Sequence, residues 1–334
     1  MLQMCNLESY PPVFRHPSAS PPQLTTANSM EDSSSSSSVP IPVVDLQRLS
    51  QETLGEACKE WGVFRLVNHG IPASLLSKLE EHVRVLFSLS FESKQALVSN
   101  PLSYFWGTPV LTPSGDALRG ALNLNWLEGI NVPLSQLPLF QSEDSRLEDF
   151  RHFLEEYGRH LSRIATTLFE AMVKNLNLCP KQSESSLDKS SGFIRLYRYP
   201  PRSVVDEACG MMEHTDSSLL SIVHQDQVGG LEIFKDNKWL LVNPISDTLL
   251  VHIGDMMQAI SDDQYRSVKH RVSVNKQEER VSICYFVFPA KGSVVRSSKY
   301  KPFTYTEFQQ QVQNDTKTLG YKVGLQRFRL NAPV

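Results

Sequence analysis

Residues 214–244 read HTDSSLLSIVHQDQVGGLEIFKDNKWLLVNP, and this stretch decides the fold class. Short apolar and β-branched runs alternate in it with turn residues, as expected for brief strands. Runs of the same kind lie on both sides: FIRLYRYP (193–200), TLLVHIGD (248–255), VKHRVSV (268–274) and RVSICYFVFP (280–289). Many short strands at close spacing are typical of a β-sandwich or barrel and argue against βαβ units.

The chain before this strand-rich half is mainly helical. Apolar residues at helical spacing from Leu75 to Phe87 predict one amphipathic helix, and those from Leu154 to Met172 mark the buried face of a long helix spanning about 144–176. A final helix is predicted near 304–318. Shorter strands are predicted at 41–44, 64–67, 106–111 and 122–130. The expected architecture is α+β, with a helical N-terminal part packed on a barrel-like C-terminal part.

Composition divides the chain into five segments. Residues 1–38 are rich in Pro and Ser and end in a run from Ser33 to Ser38. They lack an apolar pattern that could offset the entropy of ordering, so they are predicted to be a disordered tail. The other predicted segments are an N-terminal region (39–135), a long helix and linker that pack on the barrel (136–187), the strand-rich core (188–292), and a C-terminal helix and tail (293–334).

The overall composition excludes several classes of protein. The net charge is −3 and 21% of residues are charged, which argues against a nucleic-acid partner. No apolar run approaches the length of a membrane span, and the start, MLQMCNLESYPPVF, lacks the features of a signal peptide. Five scattered cysteines indicate free thiols in a reducing compartment. We expect a monomer in the cytoplasm, with the nucleus as a further location.

Two histidines and one aspartate form the leading candidate for a metal site. His214 and Asp216 lie in MMEHTDSSLL, and His270 lies in VKHRVSV. Two imidazoles and one carboxylate can hold a divalent metal from one side and leave the opposite side open, which suits non-haem iron(II) oxygen chemistry. Residues i and i+2 of a strand point to the same face, so His214 and Asp216 are predicted to reach one metal from one strand.

Strand parity also predicts inward directions for His270, Arg280 and Ser282. His270 shares a face with the valines of VKHRVSV, and that apolar face must be buried. Ten residues later, Arg280 and Ser282 share a face as well, and an inward arginine needs a buried anion. Upstream, Tyr197 and Tyr199 share a strand face, where either could donate a hydroxyl. Taken singly, His270 could be a metal-free core residue and Arg280 part of a structural salt bridge.

A second H-x-D pair competes with the first. His224 and Asp226 have the same spacing, and His252 with Asp255 adds another histidine and acid nearby. Both alternatives lie close to predicted turns. Spacing alone leaves the choice between His214–Asp216 and His224–Asp226 open.

The chain resembles the plant branch of the 2-oxoglutarate/Fe(II)-dependent dioxygenases, with gaps, from about Ile41 to Pro289. An H-x-D pair, a distal histidine and R-x-S ten residues later, in that order, form a specific signal. Within that branch, WGTP (106–109) together with HQDQVGGLEIFKDNKWLLV (224–242) is most similar to gibberellin oxidases of the 2-oxidase type. The other stretches that carry the resemblance are IPVVDLQRL (41–49), EWGVFRLVNHGIP (60–72), YRYPP (197–201), LLVHIGDMMQAISDDQYRSVKHRV (249–272) and ERVSICYFVFP (279–289).

The resemblance implies a double-stranded β-helix, or jelly roll, with helices packed outside it. Mapped onto the family, His214, Asp216 and His270 are the iron(II) ligands and exclude His224 and Asp226. The far carboxylate of 2-oxoglutarate is then bound by Arg280 and Ser282, assisted by Tyr199. This chain departs from the family at Tyr197 and His252, which stand where asparagine is usual.

The function implied is hydroxylation of a small apolar plant metabolite, most like a gibberellin, with release of succinate and CO2. The cosubstrates would be 2-oxoglutarate and O2, with ascorbate in support. A flavonoid or another specialised metabolite is the alternative substrate. A zinc hydrolase could use the same three ligands but gives no role to R-x-S. A jelly-roll binding protein with a silent metal site would have no need for all five residues.

Overall fold

The fold is taken from a computed structural model of the chain. It describes residues 6–15, 39–97, 101–107, 125–140, 145–178, 187, 192–201 and 209–330. The predicted strands at 108–111 and 122–124 lie outside these ranges. No helix in the described ranges is both long and apolar enough to span a membrane.

Two antiparallel sheets form the centre of the molecule, and their strands are numbered in chain order. The larger sheet consists, in spatial order, of β1 (Val43–Asp45), β2 (Val63–Val67), β10 (Leu249–Ile253), β7 (Leu220–Gln225), β12 (Arg280–Val287), β5 (Phe193–Tyr199), β4 (Glu128–Pro133) and β3 (Ser103–Trp106). The smaller sheet consists of β6 (Cys209–His214), β11 (His270–Ser273), β8 (Leu231–Lys235) and β9 (Lys238–Leu241). Only β1 and β2 pair in parallel among these strands. A separate hairpin is formed by β13 (Val294–Val295) and β14 (Phe303–Thr304).

The helices pack around the larger sheet. They are α1 (Gln51–Glu56), α2 (Ala73–Ser88), α3 (Phe91–Leu97), α4 (Ser145–Asn175), α5 (Asp255–Ile260) and α6 (Tyr305–Leu319), with a π-helical turn at Ala57–Trp61 and 3₁₀ helices at Leu134–Leu139 and Gly324–Phe328. The long helix α4 and the C-terminal helix α6 match the predicted spans. A capping box between Thr304 and Glu307 begins α6, and Gly320, at a φ of 83°, ends it.

The two faces of β5 show how the sheets divide the core. Ile194 and Leu196 belong to the large cluster formed with the helices. Tyr197 and Tyr199 belong to a second cluster, between the sheets, that also includes Ile233 of β8. Because alternate residues of a strand point to opposite faces, one strand lines both the helical layer and the interior of the jelly roll. The predicted jelly-roll core with flanking helices is confirmed.

The predicted disordered tail requires a correction at residues 6–15. Two 3₁₀ turns, Leu7–Ser9 and Pro12–Phe14, form there. Tyr10 is buried in an aromatic cluster with Trp106 and Trp126. The Pro- and Ser-rich composition gave no sign that Tyr10 would be buried. The burial of this aromatic side chain offsets the entropy lost when the short segment becomes ordered. Residues 1–5 and 16–38 lie outside the described ranges.

Candidate metal centre

Three side chains converge at the junction of β6 and β11. His214 is the last residue of β6, and His270, the first residue of β11, is its direct partner across the two strands. Asp216 Oδ1 lies 3.8 Å from His214 Nε2 and 3.9 Å from His270 Nε2. One potential ligand atom from each of the three residues lies within 4.8 Å of the other two. The three residues named from the sequence are therefore brought together.

The reason given for the pairing of His214 with Asp216 needs correction. Strand β6 ends at His214, so Asp216 lies in the following loop and strand parity does not aim it. Helix α5 holds this loop instead, because the Asp255 N–H donates to the Asp216 carbonyl at 2.8 Å and the Met256 N–H donates to the Ser218 carbonyl at 3.1 Å. The two side chains do lie close together, but for a different structural reason from the one that the spacing suggested.

Backbone carbonyls orient both imidazoles. His214 Nδ1 lies 2.7 Å from the Met212 carbonyl, and His270 Nδ1 lies 3.1 Å from the Val268 carbonyl. A carbonyl only accepts hydrogen bonds, so each Nδ1 carries the proton and each Nε2 keeps a lone pair directed at the shared centre. This second hydrogen bond fixes the tautomer that a metal requires, and the donor set fits a divalent ion.

The charges at the centre also suit a metal. Burial by itself raises the pKa of Asp216, but His270, His214 and His252 outweigh it and lower that pKa to about 2. Burial, reinforced by His270, lowers the pKa of His214 to about 4. At neutral pH the carboxylate is thus charged and the His214 imidazole is neutral, the states in which both groups bind metals.

The competing His224–Asp226 pair has structural partners elsewhere. Asp226 is buried, accepts from Arg84 at 2.7 Å, and accepts from the Val281 N–H at 2.6 Å. His224 Nε2 lies 3.9 Å from Glu80, and neither ring nitrogen of His224 has a hydrogen-bond partner among the described residues. Neither residue is part of a metal-binding group within the described ranges. Asp226 thus connects β7 and β12 to helix α2 without a metal.

A buried cation lies further inside the barrel. Arg280 is 2% exposed, donates to Ser282 Oγ at 3.2 Å and to Gln225 Oε1 at 2.9 Å, and stacks 4.8 Å above the ring of Tyr199. Arg280 Nε and Gln225 Nε2 are buried with no hydrogen-bond partner among the described residues. Unsatisfied buried donors cost free energy, so the cluster suits an anion that would accept from both. Arg280, Ser282 and Tyr199 therefore lie together in one buried cluster.

Four residues near the centre were not singled out by sequence reasoning for this role. His252 packs against His270 with ring centroids 4.6 Å apart, Gln225 supports Arg280, Arg195 lies inside the barrel, and Lys322 reaches the loop of Asp216. The alternation of side chains along β5 could have predicted the position of Arg195, because Arg195 lies two residues before Tyr197 and on the same face of the strand. Nothing in the local sequence could have found Lys322, because its contact spans 107 positions.

Comparison with known families decides the class of protein. Residues 190–289 match the model of the 2OG-Fe(II) oxygenase superfamily, and residues 41–153 match the N-terminal model of the non-haem dioxygenases of morphine synthesis. Gibberellin 2-beta-dioxygenase 6 of Oryza sativa subsp. japonica is 35% identical over 309 residues, which are 86% of this chain and 84% of that protein. The chain belongs to the 2OG-Fe(II) oxygenase superfamily.

Other relatives of this oxygenase agree with that assignment. Gibberellin 2-beta-dioxygenase 8 of Arabidopsis thaliana is 35% identical over 306 residues, or 87% of each chain. The crystal structure of JOX2 in complex with 2OG, Fe and JA has a TM-score of 0.68, with 26% identity over 82% of this chain and 85% of that one. A rice dioxygenase for auxin oxidation, at 22% identity and a TM-score of 0.69, shares the fold.

Family membership settles the broad chemistry. The protein is a 2-oxoglutarate-dependent dioxygenase with iron(II) and 2-oxoglutarate as cofactor and cosubstrate, and its substrate is a small molecule. The zinc hydrolase and the silent binding protein are therefore set aside.

Proposed function

We propose that this oxygenase hydroxylates a gibberellin and that its iron is held by His214, Asp216 and His270. The observation that supports the substrate class is the 35% identity to two gibberellin 2-beta-dioxygenases over 86% and 87% of this chain. Substrate preference is a property of the pocket and not of the fold, so the substrate is the part of the function that needs a direct test.

The three ligand residues hold the metal and leave its far side open. Iron(II) bound there supplies the O2 activation that couples decarboxylation of 2-oxoglutarate to hydroxylation of a C–H bond. His214 and His270 present preset Nε2 lone pairs, and Asp216 contributes the single negative charge of the centre. Little rearrangement is needed on binding, because backbone carbonyls and helix α5 already fix these groups.

Arg280 binds the far carboxylate of 2-oxoglutarate in this proposal. Its planar guanidinium can donate two parallel hydrogen bonds, which the ammonium of lysine cannot match. Ser282 and Gln225 hold the guanidinium from two sides, and the ring of Tyr199 covers its face. Because the whole cluster is buried, the ion pair forms away from water, where it is strong and keeps solvent from the metal.

A monomeric state and a cytoplasmic location are part of the proposal. The charged fraction of 21% and scattered free cysteines support a soluble protein in a reducing compartment. Light scattering of the purified protein and fractionation of plant cells measure the two properties directly.

The test is a product screen by mass spectrometry. The purified protein, with iron(II), ascorbate and 2-oxoglutarate, should form succinate and an oxygenated product from at least one gibberellin in a panel of gibberellins and flavonoids. His214→Ala and Asp216→Ala should lose both products, whereas His224→Ala should keep them. Turnover of a flavonoid with no turnover of any gibberellin would refute the substrate class, and an inactive but folded His224→Ala would refute the ligand assignment.

A further inference from the structure

Arg280 lies at the end of a strand, where the backbone has few partners of its own. It is the first residue of β12, which pairs with β5 from Arg280 onwards and with β7 from Ser282 onwards. Local opening of a fold begins at such ends. A guanidinium that binds one carboxylate of 2-oxoglutarate must nevertheless stay in one place. The backbone on both sides of Arg280 therefore needs support from outside the strand.

Asp226 extends the pairing of β7 with β12 by means of its side chain. Strand β7 ends one residue earlier, and the Asp226 N–H donates to the Val281 carbonyl at 3.1 Å. Asp226 Oδ2 accepts the Val281 N–H at 2.6 Å, in place of a main-chain carbonyl. Asp226 Oδ1 accepts the Val228 N–H at 3.1 Å, which fixes the carboxylate in the turn after the strand. Because Val281 directly follows Arg280, this carboxylate holds the backbone on one side of the arginine.

Arg84 of helix α2 holds both Asp226 and Glu279. Arg84 Nη2 donates to Asp226 Oδ2 at 2.7 Å, and Arg84 Nη1 donates to Glu279 Oε1 at 3.2 Å. Glu80, one helical turn earlier, accepts from Arg84 Nε at 3.2 Å and from Nη2 at 3.0 Å, which keeps the guanidinium in this orientation. One planar fork of N–H groups thus reaches both neighbours of Arg280, one directly and the other through Asp226.

The burial of Asp226 gives the contact with Arg84 its importance. The side chain of Asp226 is 3% exposed, and that of Arg84 is 33% exposed. Burial raises the pKa of Asp226, whereas the Val281 N–H and the guanidinium groups of Arg280 and Arg84 oppose that shift. Without Arg84, the buried carboxylate would have to move or take up a proton. Either response would displace the Val281 N–H and the backbone that carries Arg280.

We propose that Arg84 and Asp226 position Arg280, and that this ion pair between helix α2 and the larger sheet sets the affinity for 2-oxoglutarate. Both are positioning residues that act through the backbone of β12. The inference rests on the proposed role of Arg280. It also gives the second H-x-D motif a function, since its middle residue, Gln225, contacts Arg280 from the barrel interior while Asp226 fixes the strand from the helical side.

The test measures the affinity of the iron(II)-loaded protein for 2-oxo acids by calorimetry in the absence of O2. Arg84→Met should bind 2-oxoglutarate roughly 3- to 30-fold more weakly than the wild type, and Arg84→Lys should fall between the two. Pyruvate has the 2-oxo acid end but no far carboxylate, so its affinity should be equal in all three proteins. The affinity for iron(II) should also be unchanged, since Asp226 is not part of the metal-binding group among the described residues. An equal loss for pyruvate and 2-oxoglutarate would overturn the inference.

Asp226→Asn separates positioning from charge. Asparagine keeps an acceptor for the Val281 N–H but loses the ion pair with Arg84, so positioning predicts weaker binding of 2-oxoglutarate. Removal of a negative charge near Arg280 would by itself strengthen the binding of an anion. The double variant with Arg84→Met should bind no more weakly than the weaker single variant, because the two residues act as one unit. Unchanged or tighter binding by Asp226→Asn, or losses that add in the double variant, would contradict the proposal.

The matched control is Arg327→Met. Arg327 pairs at 2.9 Å with Asp315 of α6, whose side chain is 1% exposed, so this variant also leaves a buried aspartate without its arginine. It should lose stability in urea as Arg84→Met does, but bind 2-oxoglutarate as the wild type does. Equally weak binding in both variants would mean that destabilisation explains the loss and would refute the positioning role.

Arg280→Lys separates this inference from the proposed function. Unchanged 2-oxoglutarate affinity in Arg280→Lys would refute the role of Arg280, and the inference with it. Weaker binding in Arg280→Lys together with wild-type binding in Arg84→Met would refute the inference alone.

Discussion

Lys322 Nζ donates a hydrogen bond at 2.8 Å to the backbone carbonyl of Thr215, the residue between His214 and Asp216. The same ammonium donates to Ser217 Oγ at 2.9 Å and pairs with Asp255 at 2.6 Å. The segment that follows α6 thus fastens the loop that carries one ligand of the candidate metal centre. Asp255, in turn, donates its N–H to Asp216, so one ion pair supports the loop from two directions.

Replacing Lys322 with Met should weaken both stability and metal binding. The change leaves Asp255, whose side chain is 4% exposed, without its cation, and removal of one partner from a buried pair costs about 3 kcal/mol. Urea denaturation should show this loss, and iron(II) titration should show weaker binding than in the wild type. Lys317→Met, at an exposed lysine of α6, is the matched control. Equal metal affinity in Lys322→Met and the control would contradict the role of Lys322 in holding the ligand loop.

Arg280→Lys should separate the binding of the cosubstrate from that of the metal. Lysine keeps the charge but loses bidentate donation and the stacking on Tyr199, so the affinity for 2-oxoglutarate should fall roughly 10- to 100-fold. Iron(II) affinity should be unchanged, because Arg280 does not contact the three ligand residues. Calorimetric titration of each component measures the two affinities. Unchanged binding of 2-oxoglutarate would refute the assignment.

The metal-free protein should lose stability in mild acid through His214 and His252. Burial lowers the pKa of His252 to about 3 and that of His214 to about 4, from an ordinary value of 6.5. The unfolded state therefore takes up protons that the folded state refuses, so this stability is complete above pH 6.5 and declines as the pH falls towards 4. Urea unfolding in the presence of a chelator, between pH 7 and pH 4.5, measures the decline.

The comparison variant for this pH dependence is His252→Asn. Neither ring nitrogen of His252 has a hydrogen-bond partner among the described residues, so the ring contributes a protonation penalty without a compensating bond. The variant should lose part of the slope of unfolding free energy against pH. Identical slopes in the two proteins would show that His252 takes up protons equally in the folded and unfolded states, contrary to expectation.

Gly254→Ala should be strongly destabilising although its backbone is not strained. The φ of Gly254 is −95°, but an added Cβ would lie 2.0 Å from the Ser218 carbonyl oxygen. Backbone must move to relieve this overlap, at a cost of about 3 kcal/mol, and the start of α5 would shift away from Asp216. Thermal unfolding measures the cost. Gly158→Ala is the control, because its nearest neighbours are the flexible methyl groups of Leu134, and it should change stability by less than about 1 kcal/mol.

Tyr10→Ala should show that residues 6–15 are part of the folded unit. Tyr10 is 6% exposed and contacts Trp106 and Trp126, and truncation of a buried aromatic residue costs about 3 kcal/mol. Leu7→Ala, at a side chain that is 51% exposed, should be near neutral. Chemical denaturation of the two variants compares them, and equal stability would mean that the segment adds nothing to the fold.

Local periodicity predicted much of the fold. The apolar stripe of the long helix predicted 144–176, and α4 runs from Ser145 to Asn175. Strand alternation correctly predicted that His270, Arg280 and Ser282 are buried. A strand was predicted to carry His214 and Asp216, but the extent of β6 was not, because CGMMEH lacks β-branched residues and is held in place by its pairing with β11. The short helix α5 was also missed, since it follows β10 within one apolar stretch.

The sequence by itself determined which residue types were available and which strand faces they occupy, because side-chain direction along a strand or helix depends on near neighbours alone. Spacing alone could not choose between His214–Asp216 and His224–Asp226, and the resemblance to the family favoured the first pair. The register of β6 against β11 placed His214 opposite His270, while Arg84 and the Val281 N–H hold Asp226 elsewhere. The position of the ligand loop was likewise decided by tertiary structure, because contacts between distant residues depend on how sheets and helices assemble, which no local period encodes.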